Sequence, residues 1–240
     1  VAGKVVLCRR GAIARADKSL AVYQAGGVGM IMYENTDDNN LYSDSHWVPS
    51  VHIDNTPGLL VKDYIATNAN PRMRLETGTR KGPHITAWTI APSMTSFSSR
   101  GPNPVVPDLI KPDVTAPGIQ ILAGYSPMAV DGIPGEMFAA IAGTSMSSPQ
   151  VAGIFALLKQ AHPEWSPSAA KSALMTTAYQ KVRDNDRVSM ADPFDMGAGH
   201  VNPGGLWDKR GSIVQPGLVY EAGLFDYAAF TCGQDWGVFT

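Results

Sequence analysis

The run Gly143-Thr144-Ser145-Met146-Ser147-Ser148-Pro149-Gln150-Val151-Ala152-Gly153 feeds an apolar stretch ending at Leu158, and it constrains the fold more than any other segment. Val151, Ala152, Ile154, Phe155, Ala156, Leu157 and Leu158 leave no polar face, so the spacing predicts a helix inside a core. Thr144 is placed to cap that helix, with its first turn beginning near Ser145. A small hydroxyl there sits in the positive end of the helix dipole, where unpaired backbone N–H groups can hold a developing oxyanion. That setting suits a nucleophile. Pro149 is tolerated so near the helix start, but it removes the N–H that the Ser145 carbonyl would accept from, which predicts a distorted first turn. Gly143 and Gly153 lack a β-carbon and are expected to admit a substrate at the first and a packed strand or helix at the second.

At 240 residues the chain is long enough for one large domain or two smaller ones. Hydrophobic residues make up 44% and charged residues 17%, and the formal net charge of -2 gives no electrostatic reason to expect nucleic acid as a partner. No apolar run approaches the roughly 18 residues that crossing a bilayer requires, so no membrane span is expected. Val1-Ala2-Gly3-Lys4 leads directly into Val5-Val6-Leu7-Cys8, and such a beginning reads as a cut through a domain. Cys8 and Cys232, near opposite ends, are expected to be free thiols. No Asn-x-Ser/Thr acceptor is present, so glycosylation offers no argument for secretion.

In chain order, Lys4 to Cys8 reads as a buried strand, and Asp17 to Ala25 as a helix with Leu20, Ala21 and Gln24 at helical spacing. Val28 to Tyr33 is the next strand, which makes a small β-α-β layer. Glu34 to His46 is a surface loop, and its Asp37-Asp38 pair reads as a solvated turn because no third oxygen ligand accompanies it. Trp47 to Ile53 is extended. Thr56 and Pro57 supply a cap and a first-turn proline for a helix over Gly58 to Ile65, which Asn68-Ala69-Asn70-Pro71 breaks. Arg72 to Leu75 and His84 to Ala91 are candidate strands, followed by the turn-rich Ser93 to Pro107. Ile119 to Ala123 and Met137 to Ala142 are short strands around a Gly/Pro loop, the second delivering Gly143. Ser166 caps and Pro167 opens a helix whose Ala170, Ala173, Leu174 and Thr177 share one face, while His162 belongs to the loop before it.

Gly-Thr-Ser-Met-Ser-Ser-Pro-x-Val-Ala-Gly resembles the nucleophile signature of the subtilisin-like serine peptidases. The resemblance places Ser145 at the nucleophile, Met146 beside the leaving-group side of the cleft, and Gly143, Thr144 and Met146 among the residues that line bound substrate. The commoner family pattern has Ala or Cys at Ser148 or its neighbour and often His where Gln150 stands; these departures are expected to touch packing more than chemistry. Phe97-Ser98-Ser99-Arg100-Gly101-Pro102-Asn103 and Lys111-Pro112-Asp113-Val114-Thr115-Ala116-Pro117-Gly118 resemble the stretch leading toward the nucleophile in the same family. Arg100 and Asp113 read there as loop anchors, not as members of a triad. His-Pro-x-Trp at 162–165, Gly197-Ala198-Gly199-His200-Val201-Asn202-Pro203 and Gly217-Leu218-Val219-Tyr220 are similar to later strings of the plant-like members, with Trp207 to Ser212 as an inserted loop.

The order of segments over residues 1–78 resembles the later half of a protease-associated domain, which some subtilisin-like enzymes carry between their oxyanion-hole Asn and their nucleophile. The implied architecture is α/β: that partial domain, then the C-terminal portion of a parallel-sheet catalytic core over 79–222, then a lead over 223–240 into a β-sandwich, in which Asp226-Tyr227-x-x-Phe230-x-Cys232 falls.

A serine hydroxyl needs a base, usually a His oriented by a carboxylate. The family order is Asp, His, Ser, yet upstream of Ser145 the only histidines are His46, His52 and His84, none in a His-Gly-Thr-like turn, and no upstream Asp precedes Thr-Gly or Ser-Gly. The resemblance therefore implies a serine endopeptidase acting on protein or peptide substrates through an acyl-enzyme on Ser145. Its Asp, His and oxyanion Asn would come from an N-terminal portion of the same peptidase, and the isolated chain is expected to be inactive. No cofactor or metal is implied, and an extracellular location follows from the family alone. A non-catalytic scaffold that binds protein through the accessory domain, or a pseudoenzyme, is the competing reading.

Overall fold

The computed structural model describes residues 1–38, 42, 44–75, 91–128, 132–204 and 213–234. The chain divides into two compact units, one made of Val1–Trp88 with Ile119–Ala142, the other of Thr89–Gly118 with Gly143–Thr240.

In the first unit the order is β1 (Val5–Arg9), α1 (Arg15–Gln24), β2 (Gly29–Tyr33), β3 (Ser50–Ile53) and α2 (Asn55–Thr67). The three strands pair in parallel as β1-β2-β3, with Leu7 opposite Ile31 and Ile31 opposite Val51. Parallel strands need a covered face, and the central strand is buried throughout its length. Met30 and Met32 are inaccessible, packed with Val22 and Val48, while Val6 and Cys8 of the half-buried edge strand close the cluster. Burial pushes the Cys8 thiol up, partly opposed by Lys18, and both cysteines are free.

α1 turns a different face inward from the one that Leu20, Ala21 and Gln24 suggest. Its buried residues are Ala16, Ser19 and Val22, spaced by three along the helix, and Ala21 and Gln24 are exposed. Ser19 is tolerated there because its hydroxyl donates to the Ala16 carbonyl at 2.6 Å and accepts from the Trp47 N–H at 3.2 Å. α2 starts three residues before Gly58, with Asp54 at its N-cap position. The Thr56 hydroxyl does not cap the helix. It donates to Asp37, whose other carboxylate oxygen accepts the Thr56 N–H at 2.8 Å, so the exposed Asp37 satisfies the first turn from the preceding loop. These bonds hold the Asp37 carboxyl below its usual range.

Residues 71–75 form no strand, and the candidate strand at His84 lies outside the described residues apart from Ala91. β4 (Ile121–Gly124) and β5 (Phe138–Ile141) pair with each other antiparallel, Ile121 opposite Ile141. Among the described residues the parallel sheet is β1–β3, and the strand that precedes the Ser145 helix has an antiparallel partner.

The second unit contains α3 (Thr144–Ala161), α4 (Pro167–Thr176), α5 (Pro193–Met196) and α6 (Leu224–Gln234). Its core joins Leu158, Ala170, Leu174, Val201 and Ile213, with Val114, Ala116, Val151, Ile154, Phe155 and Trp165 against it. The apolar segment of α3 from Val151 to Leu158 therefore turns a stripe inward, with Leu158 buried and Val151, Ile154 and Phe155 half-buried, and not its whole circumference. Leu158 is 2% exposed but its neighbour Leu157 is 65% exposed, as the described elements cover only one side. Gly153 lies on the uncovered side with nothing within 4 Å of where a β-carbon would stand, so the close packing expected there is absent among the described residues. α4 follows its pattern: Ser166 accepts from the Ala169 N–H at 3.0 Å, and Ala170, Ala173, Leu174 and Thr177 are all buried. Among the described residues no helix is long and apolar enough to cross a membrane.

Candidate functional site at the start of the third helix

α3 opens one residue earlier than the Thr144 cap implies. Gly143, with extended backbone, holds the N-cap position, Thr144 is the first helical residue and Ser145 the second. No side chain caps this end, so the helix geometry leaves the Ser145 N–H without an intrahelical partner, while the Met146 N–H donates to the Gly143 carbonyl at 3.0 Å. Thr144 and Ser145 are exposed, and Met146 is half-buried. A reachable hydroxyl, a free backbone donor and the positive end of an 18-residue helix coincide at Ser145.

The underlying loop fixes this turn. The Gly143 N–H donates to the Gly118 carbonyl at 2.8 Å, and the Gln150 amide donates to the Pro117 carbonyl at 2.7 Å. Gly118 is there for closeness, because a β-carbon on it would collide with the Ser147 hydroxyl and stand 3.0 Å from the Gly143 carbonyl oxygen.

The Pro117–Gly118 turn is held in its own place by the other family-like strings. The Thr115 N–H donates to the Gly199 carbonyl and the Val201 N–H to the Thr115 carbonyl, both at 2.9 Å, and the Ala198 N–H donates to the Asp113 carbonyl at 2.9 Å. Gly197, at φ 62°, presses its α-carbon against the Pro112 and Asp113 carbonyls where a side chain could not fit. Arg100 reaches Asp195 and, at 2.7 Å, Asp192, which together form the capping box of α5, and the Gly101 N–H donates to the Phe194 carbonyl at 2.9 Å. Burial pushes the Asp113 carboxyl up, but the ammonium groups of Lys111 at 2.7 Å and Lys171 at 2.6 Å outweigh it and hold the acid below its ordinary range. Arg100 and Asp113 are thus structural anchors.

Neither imidazole described in the second unit, His162 or His200, bonds to Ser145. His52 lies between the Glu34 carboxylate at 2.7 Å and the Tyr42 carbonyl at 3.0 Å in the first unit, and His46 is 4.0 Å from Asp44 there. His162 follows α3, seventeen residues or roughly 25 Å of helix from Ser145, stacked on Trp165 with ring centroids 4.0 Å apart. His200 is engaged by the Thr115 hydroxyl at 3.2 Å, and burial pushes its pKa down. His84 lies outside the described residues. Sequence reasoning missed two parts of this arrangement: the Gln150 bridge, which no pattern of polarity announces, and the partner of Arg100, which the spacing Asp192-Pro193-x-Asp195 announces as a capped helix start.

A family model described as "Subtilase family" matches residues 29–199. Over 97% of its length the chain is 42% identical to the subtilisin-like protease SBT1.4 of Arabidopsis thaliana, covering 30% of that protein. The subtilisin-like proteases SBT1.3 and SBT5.6 of the same plant match at 41% over 98% and 43% over 97% of the chain, covering 30% and 29% of their own lengths. The chain spans about 30% of the length of these curated relatives. With the matched region running from β2 through the Ser145 turn to Gly199, the chain belongs to the subtilase family.

Proposed function

We propose that Ser145 is the nucleophile of a serine endopeptidase that hydrolyses protein or peptide substrates through an acyl-enzyme, with Gly143, Thr144 and Met146 against the substrate. The observation that carries this reading is the placement of an exposed hydroxyl and an unpaired N–H at the second position of α3. The imidazole, the carboxylate and the side-chain oxyanion donor come from polypeptide outside this chain, a reading supported by the separate engagements of His46, His52, His162 and His200 and by the 30% share of the relatives that is covered. In this reading residues 1–78 are the later part of a protease-associated domain, supported by the β-α-β-β-α order. Residues 79–222 are the C-terminal portion of the catalytic domain, residues 223–240 lead into a β-sandwich, and the enzyme works outside the cell.

The test is a fluorophosphonate probe applied to the full-length polypeptide that contains this chain, with the labelled peptide mapped. Label on Ser145, lost in Ser145→Ala together with peptide hydrolysis, is the expected result. Label elsewhere, or undiminished hydrolysis by Ser145→Ala, overturns the assignment and favours a scaffold.

A further inference from the structure

We infer that Gln150 is a positioning residue for the Ser145 hydroxyl, the second point of a clamp that fixes the first turn of α3; this rests on the assignment of Ser145 as nucleophile. The carbonyls of Pro117 and Gly118 are consecutive, and both are bound by the start of α3, the Gly118 oxygen by the Gly143 N–H at 2.8 Å and the Pro117 oxygen by the Gln150 side-chain amide at 2.7 Å. Ser145 lies between these two points of attachment. Either bond alone would leave the turn free to pivot about it, whereas two bonds to adjacent carbonyls define its orientation as well as its position.

The same amide nitrogen also donates to the Met146 carbonyl at 3.3 Å, one turn back along the helix. That is where the backbone ladder is weakened, because Pro149 has no N–H for the Ser145 carbonyl and the first turn lacks a bond that other helices have. The Gln150 side chain ties the interrupted turn to itself and to the loop beneath. A donor is essential at this point because the amide faces two carbonyl oxygens. A carboxylate of the same length would present oxygen to oxygen, and an aliphatic side chain would leave the Pro117 carbonyl unbonded.

The experiment compares wild type, Gln150→Glu, Gln150→Leu and Gln150→His in the full-length polypeptide, the last keeping a ring N–H donor. Fluorophosphonate acylation of Ser145 and amide hydrogen exchange over residues 143–150 are both measured. The Glu and Leu variants should acylate about ten- to hundredfold more slowly with reversible binding unchanged within about twofold, and exchange faster at the bonded amides of Gly143 and Met146 while exchange in α4 stays the same. The His variant should recover most of the acylation rate. Glu and Leu variants that acylate at the wild-type rate overturn the inference, as does a His variant that falls as far as they do. Wild-type protein that carries no label on Ser145 overturns the nucleophile assignment and the positioning role together, whereas a labelled wild type with insensitive variants overturns the positioning role alone.

Discussion

The α-carbon of Gly118 and the hydroxyl of Ser147 are so close that a methyl group at 118 would occupy the space of the Ser147 oxygen. It would also meet the Gly143 carbonyl oxygen at 3.0 Å, and that atom belongs to backbone that cannot rotate away. Gly118→Ala should therefore cost about 1–3 kcal/mol of stability, the usual penalty for overfilling a packed contact. Adding Ser147→Ala removes the side-chain half of the clash and should recover part of the loss, but not all of it. Denaturant melts of the single and double variants check this, and a single variant as stable as wild type would contradict the packing described.

Asp195 performs two tasks, accepting the Asp192 N–H at 3.0 Å to complete the capping box and receiving Arg100. It is 6% exposed, so its replacement leaves bonds unmade that water cannot easily repair. Asp195→Ala should lower stability by about 1–2 kcal/mol, the range for a lost helix cap. The loss should spread beyond α5, because Gly101 is bonded to Phe194 and Ala198 to Asp113. Hydrogen exchange at Ala198 and Thr115 should quicken, while α1 and β2 keep their protection.

The parts of this chain that sequence reasoning recovers are those in which one short pattern has one physical meaning. Ser166-Pro167 states a cap and a first-turn proline, and the helix follows with its predicted inward face. A β-α-β order with short connections gave the parallel layer of β1 to β3. The helix after Gly143 was legible because an unusual string precedes an apolar segment. Orientation was much less legible. The inward face of α1 is set by the fit of Ser19 against the Trp47 N–H, a contact 28 residues away that local spacing does not contain. The apolar composition of α3 states that it prefers burial, but not how many neighbours are present to provide it. Thr56 and Asp37 illustrate the same limit, since a capping oxygen was expected within the segment and came from a loop 19 residues earlier.

His200 makes stability depend on pH. Burial pushes its pKa down, so the unfolded chain takes up a proton at a higher pH than the folded one. The stabilisation of the neutral form is complete above the unfolded value, near pH 6.5, and is lost as pH falls below it, with a slope of at most about 1.4 kcal/mol per pH unit for one proton. His200→Gln should flatten the pH dependence of stability just below that value while costing some stability at neutral pH through the lost bond to Thr115. Midpoints of urea unfolding at several pH values measure the slope, and a slope unchanged in the variant would assign it to other groups. Asp113 acts only at lower pH. Its depressed carboxyl contributes above the unfolded carboxylate pKa and loses that contribution as pH falls through its native value.

Leu157 and Leu158 are adjacent and chemically identical, and they should respond very unequally to substitution. Leu158 packs with Ala170, Leu174 and Val201, so Leu158→Ala opens a cavity in the core of its unit and should cost about 2–5 kcal/mol. Leu157 is 65% exposed, and in this chain Leu157→Lys should change stability by less than about 0.5 kcal/mol. If the longer polypeptide covers the uncovered side of α3, the same Leu157→Lys change there would bury an unpaired charge and cost several kcal/mol. Unfolding of both variants in the chain and in the longer polypeptide therefore reports directly on whether that face is covered. Equal effects of Leu157→Lys in both settings would show that Leu157 remains in water, and that the apolar composition of α3 is satisfied by a single buried stripe.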